Sequence, residues 1–222
     1  MQVRVPHRWD LSPKEAIALQ QELRQRVVTE NQLGTVRTVA GVDISTAGER
    51  AHAAVVVLRF PELKPLQAAQ SDLPLAYPYI PGLLSFREAP VCLEALTMLD
   101  REPDLLMIDG QGIAHPRRLG LASHLGLFLD KPTIGCAKSR LIGRFEEPGG
   151  EKGDWSPLTD KNELIGAVVR TRSRVKPIFV SVGHKCRLED AIRMALACTT
   201  RYRIPEPTRL AHQAVSRLKQ AT

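Results

Sequence analysis

The chain has 222 residues, of which 43% are hydrophobic, and its 31 lysines and arginines outnumber its 24 acidic residues, giving a formal net charge of +7. This length and composition can bury a full core and are compatible with one domain spanning residues 1–222. No window approaches the roughly 18 consecutive apolar residues of a membrane span, and the first ten residues lack a signal-peptide apolar region. We therefore expect a cytoplasmic protein without membrane contact, whose positive charge favours nucleic acid as partner.

The four cysteines, Cys92, Cys136, Cys186 and Cys198, are scattered, and no two of them form a Cys-x-x-Cys pair. This spacing argues against a zinc site, and a cytoplasmic location argues against disulfides. We expect four reduced thiols in the core.

The first regular element is predicted at Ser12-Pro13-Lys14-Glu15, which combines a helix cap, a proline suited to the first helical position and an acid that closes a capping box. A packing helix to about Thr29 follows from it. Three runs rich in β-branched or apolar residues come next, at 36–45, 51–60 and 63–69, and their short spacers predict an antiparallel meander.

Asp43 stands out in the first of these strands because it lies between Val42 and Ile44. A carboxylate buried without a partner is costly, so a buried Asp43 requires one. Three interpretations are open: an arginine partner, a metal ion shared with Asp109, or a strand face that puts Asp43 in water.

The segment 77–88 combines a loop with a helix start. Its two prolines fix their own φ and bias the preceding residues toward extended backbone, so Tyr79 and Ile80 lie on a stiff loop. An aromatic side chain held this way is suited to wedging between bases or stacking on them; alternatively, the loop is a rigid connection whose tyrosine packs on the core. Ser85 predicts a helix cap, with Glu88 as its capping-box acid.

A second acid follows an apolar run of strand length. Residues 105–108 end at Asp109, and Gly110 and Gly112 permit a tight turn after it. Ligand chemistry in open α/β sheets gathers at the carboxyl ends of strands, and His115 and two arginines follow closely, which predicts a metal and a phosphate site. The alternative is a plain Asp-Gly turn.

A helix from about 117 to 129 and a strand at 132–137 complete a βαβ unit, which predicts a parallel strand pair. Lys138 comes at the carboxyl end of this strand, where it either faces phosphate as a point charge or is a solvated strand end. A loop is predicted at 143–161, and two further strands at 164–170 and 177–182.

Two helices close the chain, from about Leu188 to Thr199 and from Pro207 onward. His212 lies in the last helix, where the pattern does not fix whether it faces inward, and a lone helical histidine is more often structural. The connection between the last two strands suits a phosphate backbone or forms a solvated turn. Its charged residues are Arg170, Arg172, Arg174 and Lys176.

Five segments together resemble the endonuclease V family of deoxyinosine-directed repair nucleases. They are Val-Ala-Gly-Val-Asp at 39–43, Pro-Tyr-Ile-Pro-Gly-Leu-Leu-Ser-Phe-Arg-Glu at 78–88, Asp-Gly-Gln-Gly-Ile-Ala-His-Pro-Arg at 109–117, Thr-Ile-Gly-Cys-Ala-Lys at 133–138 and Pro-Glu-Pro-Thr-Arg-Leu-Ala-His at 205–212. The resemblance covers nearly the whole chain. It implies an α/β, RNase H-like fold with a mixed five-stranded central sheet flanked by helices.

The resemblance also implies roles for particular residues. Asp43, Glu88 and Asp109 would hold Mg²⁺, for which Mn²⁺ can substitute; His212 would lie beside the metal and the attacking water, and Lys138 near the scissile phosphate. Tyr79 would be the wedge, and a pocket would receive the flipped hypoxanthine. The residues expected to contact substrate are Tyr79, Ile80, Gly82, Leu84, Gly110, His115, Leu121 and Gly135.

The implied reaction is hydrolysis of the second phosphodiester bond 3′ to a deoxyinosine in DNA, leaving 3′-hydroxyl and 5′-phosphate, by a protein that we expect to be a monomer. Two alternatives stay open: an endoribonuclease that cuts inosine-containing RNA, and a noncatalytic nucleic-acid-binding module. The presence of all the implied catalytic acids and His212 argues against the module. One position departs from the family, because Gln111 stands where Asp-Gly-His-Gly is common; glutamine still donates and accepts hydrogen bonds, so we expect activity to survive.

Overall fold

The computed structural model of the chain describes residues 7–221. Within this range none of the helices is long and apolar enough to cross a membrane. The helices are α1 (Pro13–Leu23), α2 (Leu84–Thr97), α3 (Leu121–Leu129), α4 (Leu188–Ala197) and α5 (Glu206–Ala221), with a 3₁₀ turn at Arg24–Arg26. The strands are β1 (Thr38–Ala47), β2 (Arg50–Arg59), β3 (Lys64–Pro74), β4 (Leu105–Ile108), β5 (Thr133–Ala137), β6 (Trp155–Asp160), β7 (Glu163–Val169) and β8 (Ile178–His184).

All the strands described form one mixed sheet in the order β3-β2-β1-β4-β5-β8-β7-β6. Strands β1, β2 and β3 are an antiparallel meander, and β1, β4 and β5 run parallel, which confirms both predicted pairings. The predicted α/β fold class is confirmed. The predicted count of five strands is wrong, because β8, β7 and β6 extend the sheet beyond β5 through antiparallel pairs.

Strand β6 lies inside the segment predicted as a loop. Its side chains alternate between buried and exposed, but prolines and glycines before it and Pro157 within it hide the pattern. Proline is tolerated here because β6 is at the edge of the sheet among the residues that the structure describes; along its outer row a single bridge joins Thr159 to Arg144.

The N-terminal helix has the predicted capping box, in which the backbone N–H of Ser12 donates to Glu15 Oε2 at 2.8 Å and the Glu15 N–H donates to Ser12 Oγ at 3.3 Å. The α-helix ends at Leu23, earlier than predicted. The four cysteines are free and buried, as expected.

Helix α5 crosses β1 with almost no gap at Gly41. A Cβ atom at this position would lie 1.9 Å from the carbonyl oxygen of Pro207, so only glycine lets the two backbones meet. Gly41 and Asp43 are two residues apart in the strand and therefore project to the same face. The contact thus brings the first turns of α5, which carry His212, against the face of β1 that carries Asp43.

We expect Gly41→Ala to lower the free energy of unfolding by at least about 1–3 kcal/mol, because the added methyl group overpacks a backbone contact. Urea unfolding followed by circular dichroism measures the change. Gly150→Ala is the matched control, since a Cβ there meets nothing within 4 Å. If Gly41→Ala is as stable as this control, the close approach of α5 to β1 is incorrect.

Candidate active site

The two predicted acids meet at the carboxyl edge of two parallel strands. Asp43 lies in β1 and Asp109 directly follows β4, and the register pairs Val42 with Ile108. The backbone N–H of Asp109 donates to the Val42 carbonyl at 3.0 Å. One ligand atom from each of Asp43, Asp109 and His212 falls within 4.8 Å of the others, so these three residues could hold a metal ion.

Asp43 is only 5% exposed, and its partner is a histidine rather than an arginine. His212 Nδ1 lies 2.7 Å from Asp43 Oδ2, while the imidazole itself is 56% exposed. The interpretation that Asp43 faces water is therefore wrong. His212 faces the site, and its exposed ring edge is open to a ligand.

Lys138 leaves the end of β5 and forms an ion pair with Asp109 Oδ2. The parallel pairing of β4 with β5 brings these two strand ends together. Lys138 is thus a charged member of the cluster and not simply a solvated strand end.

Glu88 approaches the cluster from α2. Burial, followed by the negative charges of Asp43 and Asp109, raises the pKa of Glu88 from 4.5 to about 7, with Arg87 opposing. Burial and then the charge of Asp109 raise the pKa of Asp43 from 3.8 to about 6. The three carboxyl groups therefore lie in one partly buried region, where their negative charges repel one another. Carboxylate oxygens in such a set fit a hard divalent cation such as Mg²⁺ or Mn²⁺, which relieves the repulsion.

A cavity of about 400 Å³ opens beside the acids, a size within the range of small-molecule pockets. Its walls come from the loop before α2, the turn after β4, the start of α3 and the segment after β5. Seven of the eight predicted substrate-binding residues line it: Tyr79, Ile80, Gly82, Leu84, Gly110, His115 and Leu121. A cavity of about 570 Å³ elsewhere is lined by Arg37, Arg59 and Arg101 among others, but the acid cluster is absent from its walls.

Gly135, the eighth predicted residue, lies behind the pocket wall and does not line it. A Cβ atom on Gly135 would stand 2.6 Å from the Gly112 nitrogen and 2.7 Å from the Gly110 oxygen. The glycine therefore lets the turn after β4 rest directly on β5. It shapes the pocket by allowing this contact.

Tyr79 is 71% exposed at the pocket rim, so the interpretation that its ring packs on the core is wrong. The neighbouring Tyr77 takes that place instead and is 5% exposed. The loop is anchored below Tyr79, where Arg117 donates hydrogen bonds to the Gly82 carbonyl and to Gln20 Oε1.

Gln20 is a residue that sequence reasoning missed. It is fully buried, and its Nε2 donates to the carbonyls of Gly82 and Leu119 at 3.1 and 3.3 Å. It thereby fastens the loop to α1 and to the segment before α3. The sequence feature that could have indicated this role is an amide side chain on the apolar face of α1, between Ala16 and Leu23.

Gln111 lines the pocket with its amide held in one orientation. Its Nε2 donates to the Ser139 carbonyl at 3.0 Å, and a carbonyl only accepts, so Oε1 is the free end. Oε1 is buried, and it has no hydrogen-bond partner in the part of the chain that the structure describes.

Two sequence-based interpretations of polar residues are wrong. Ser85 does not cap α2, which begins at Leu84 after Leu83 without a side-chain cap; the Ser85 hydroxyl instead contacts His124. Arg170 does not belong to a phosphate-binding surface, because it is 7% exposed and binds Glu147 and the carbonyls of Pro148, Gly149 and Val175.

The family model described as Endonuclease V matches residues 21–213. Endonuclease V of Methanothrix thermoacetophila is 53% identical over 212 residues, covering 96% of this chain and 94% of that protein. The crystal structure of endonuclease V from Streptomyces avermitilis aligns with a TM-score of 0.93 at 43% identity, covering 100% of this chain and 99% of that one. Endonuclease V of Ciona intestinalis, in complex with a 24mer DNA containing an inosine followed by a ribo-adenosine, aligns with a TM-score of 0.83 at 34% identity, covering 94% and 98%.

These relatives, together with the mixed sheet and the acids at its parallel strand ends, define the chain as a nuclease. It belongs to the endonuclease V family.

The raised carboxyl pKa values predict how stability depends on pH without metal. The folded protein holds these protons more tightly than the unfolded chain, so these groups weaken folding as pH rises from about 4 to about 7. We expect Asp43→Asn to be more stable than the wild type at pH 8 in EDTA, by on the order of 1–3 kcal/mol, and to match it near pH 4.

Urea unfolding across this pH range measures the difference, and Asp100→Asn, an exposed acid outside the cluster, is the control. An Asp43→Asn protein that is less stable than the wild type at pH 8 contradicts the assigned charge repulsion.

Proposed function

We propose that this protein is a DNA repair endonuclease that recognises deoxyinosine, the product of adenine deamination. It hydrolyses the second phosphodiester bond 3′ to the lesion and leaves 3′-hydroxyl and 5′-phosphate ends. The observation that carries the proposal is that Glu88, Asp109 and Lys138, which belong to the acid cluster, are also walls of the pocket. A base held in this pocket is joined to a phosphate backbone that must pass close to the acids.

The inosine-containing DNA bound to the Ciona relative supports the choice of substrate. The formal net charge of +7 supports a polyanionic ligand. We propose that residues 1–222 act as one nuclease domain and as a monomer.

Asp43, Asp109 and Glu88 are the residues that would hold Mg²⁺, with Mn²⁺ as a substitute. When bound, the divalent ion supplies Lewis acidity toward the phosphate and lowers the pKa of coordinated water.

His212 is the residue best arranged to act on water. An ionised Asp43 can only accept, so it takes a hydrogen bond from the Nδ1–H of His212, and in a neutral imidazole Nε2 would then be the nitrogen with the free lone pair. That nitrogen can orient a water molecule or take its proton. Lys138 offsets the negative charge that develops on the phosphate oxygens during hydrolysis.

Tyr79 and Ile80 act at the pocket rim. An exposed aromatic ring on an anchored loop can fill the gap that a flipped base leaves in the duplex. Extrusion costs a few kcal/mol and costs less for a weakly paired base, so deoxyinosine is favoured before any contact in the pocket.

The decisive experiment is a nicking assay on a labelled duplex with one deoxyinosine, in Mg²⁺, Ca²⁺ or EDTA, mapped to single nucleotides. We expect a Mg²⁺-dependent nick at the second phosphodiester bond 3′ to the inosine. Asp43→Ala and Asp109→Ala should lose cleavage by at least about a thousandfold and keep most binding, because they remove donors for the metal; Asp100→Ala is the matched control.

Cleavage at the wild-type rate by either cluster variant contradicts the metal assignment. Binding without cleavage in every metal means that the protein is a noncatalytic module, with Gln111 as the first residue to revert; rescue by Gln111→His would overturn our expectation that glutamine supports activity.

For Tyr79→Ala we expect a lower ratio of inosine to adenine cleavage, by roughly tenfold, since the ring no longer stabilises the unstacked duplex. Tyr79→Phe keeps the ring and should keep the ratio. Parallel kcat/KM measurements on the two duplexes provide the test, and an unchanged ratio in Tyr79→Ala rules out the wedge.

A second candidate substrate is inosine-containing RNA, because the DNA bound to the Ciona relative has a ribo-adenosine directly after the inosine. The 2′-hydroxyl at that nucleotide is the chemical difference that a protein can read. Side-by-side cleavage of all-DNA, all-RNA and single-ribonucleotide strands distinguishes the two: faster cleavage of RNA than of DNA would make this an endoribonuclease.

A further inference from the structure

A chain of hydrogen bonds runs from the N-terminal segment to the pocket. His7 Nδ1 lies 2.7 Å from the Arg8 carbonyl oxygen, and His7 Nε2 lies 2.8 Å from His124 Nε2. His124 Nδ1 lies 2.9 Å from Ser85 Oγ, and Ser85 is a wall residue of the pocket. His124 and Ser85 are 0% and 3% exposed, so water does not compete for the hydrogen bond between them, whereas His7 is only partly buried.

The direction of each hydrogen bond can be assigned in turn, starting from the Arg8 carbonyl. A backbone carbonyl only accepts, so His7 Nδ1 must carry a proton, and in a neutral ring His7 Nε2 is then an acceptor. His124 Nε2 therefore donates to it, which leaves His124 Nδ1 bare. The Ser85 hydroxyl must then donate to His124, and its lone pairs are left as acceptors.

This assignment requires both imidazoles to be neutral. Burial among Trp9, Phe86 and Phe128 lowers the pKa of His124 to about 3, with His7 and His115 as further causes. Burial also lowers the pKa of His7, and the hydrogen bond to the Arg8 carbonyl opposes this shift. A proton added to His7 would leave its bond to the Arg8 carbonyl unchanged but would reverse the His7–His124 and His124–Ser85 bonds, so the assigned directions hold only while both rings are neutral.

A second wall residue has the same polarity. Gln111 is fixed by the Ser139 carbonyl and presents a buried Oε1 without a partner among the described residues. His115, another polar wall residue, accepts the Arg117 N–H through Nδ1 at 3.2 Å and so has a protein partner. Ser85 and Gln111 therefore give the wall two fixed acceptors beside its charged side chains, which include Glu88, Asp109, Lys138 and Arg140.

We propose that the hydrogen-bond chain from His7 through His124 fixes Ser85 Oγ as an acceptor, so that the pocket selects a base edge with a ring N–H. This inference rests on the proposed function for the identity of the base. Hypoxanthine has a proton on N1, whereas adenine has a lone pair there. With adenine, the N1 lone pair would face the fixed acceptor, and two buried acceptors would be left without a proton between them. A polar pocket rejects a close analogue by this kind of unpaired contact. Ser85 is the residue that contacts the base, and His124 and His7 are positioning residues.

The tautomers can be measured directly by ¹⁵N-histidine NMR on the full chain without nucleic acid at pH 7. We expect His124 to be protonated at Nε2 and bare at Nδ1, and His7 to be protonated at Nδ1 and bare at Nε2. The reverse tautomer at His124 overturns the inference, because Ser85 would then be a donor to the pocket.

The selection is tested by equilibrium binding in Ca²⁺ to two duplexes, one with hypoxanthine and one with 6-methoxypurine, which keeps an oxygen at position 6 but lacks the N1 proton. The wild type should prefer hypoxanthine, and Ser85→Ala should reduce that preference by roughly tenfold, the effect of one net hydrogen bond. An unchanged preference overturns the inference.

Ser85→Ala leaves a buried imidazole nitrogen unpaired, so a second variant, placed far from the pocket, provides an independent test. His7→Ala removes the anchored acceptor, so His124 is free to adopt either tautomer, and the preference should fall while the hypoxanthine complex still forms. Arg8→Ala is the matched control, since only the Arg8 backbone joins the chain and its side chain pairs with Asp10 in solvent. Equal preference in His7→Ala and Arg8→Ala overturns the positioning role.

Failure of this inference is distinguishable from failure of the proposed function. A protein that nicks deoxyinosine but has the reverse His124 tautomer refutes only the inference. A protein whose tautomers are as assigned but that neither prefers hypoxanthine nor nicks it refutes the proposed substrate, and with it the base selection.

Discussion

Repulsion among three carboxyl groups is the constraint on which the site depends. Parallel pairing of β1 with β4 puts Asp43 and Asp109 at the same sheet edge, and α2 adds Glu88. Without a cation, burial and the neighbouring negative charges raise the pKa of Asp43 to about 6 and that of Glu88 to about 7, so these two groups hold protons at a pH where exposed carboxyls are ionised. The fold therefore maintains an arrangement that weakens its own stability and that a divalent cation would relieve.

The fold tolerates this arrangement because the surrounding contacts are rigid and close. At Gly41 the backbone of α5, the helix that carries His212, touches β1, and at Gly135 the turn after Asp109 rests on β5, so the backbones that carry the site are in direct contact. Lys138 pairs with Asp109, and His212 pairs with Asp43. Asp43 and Asp109 are thus each held by one basic partner, and the site opens on the pocket, whose walls include Glu88, Asp109 and Lys138.

The meeting of Asp43, Asp109 and Lys138 was predictable from the sequence because these residues lie in or directly after strands that pair in parallel. An apolar run that ends in Asp109, and an acid inside a β-branched strand, are local patterns whose meeting is a consequence of parallel pairing. The face of α5 that carries His212 was not predictable, since it depends on the helix docking at Gly41. The edge strand β6 was hidden by prolines.

The polarity of the pocket could not be predicted from the sequence at all. His124 is 39 residues from Ser85 and 117 residues from His7 along the chain, and no local pattern relates the three. The sequence offered Ser85 as a helix cap, a local role that the tertiary contact with His124 replaces. Gln111 was recognised as a departure from the family, but its orientation depends on the Ser139 carbonyl, which only the folded turn supplies.

The central claim is that the acid cluster is a metal site, and locating the ion tests it most directly. Crystals soaked in Mn²⁺ and measured at its absorption edge would give an anomalous peak at each bound ion. We predict a peak in contact with carboxylate oxygens of Asp43 and Asp109 and beside His212, lost in Asp109→Ala crystals. A fully occupied peak elsewhere, with none at the cluster, would contradict the account.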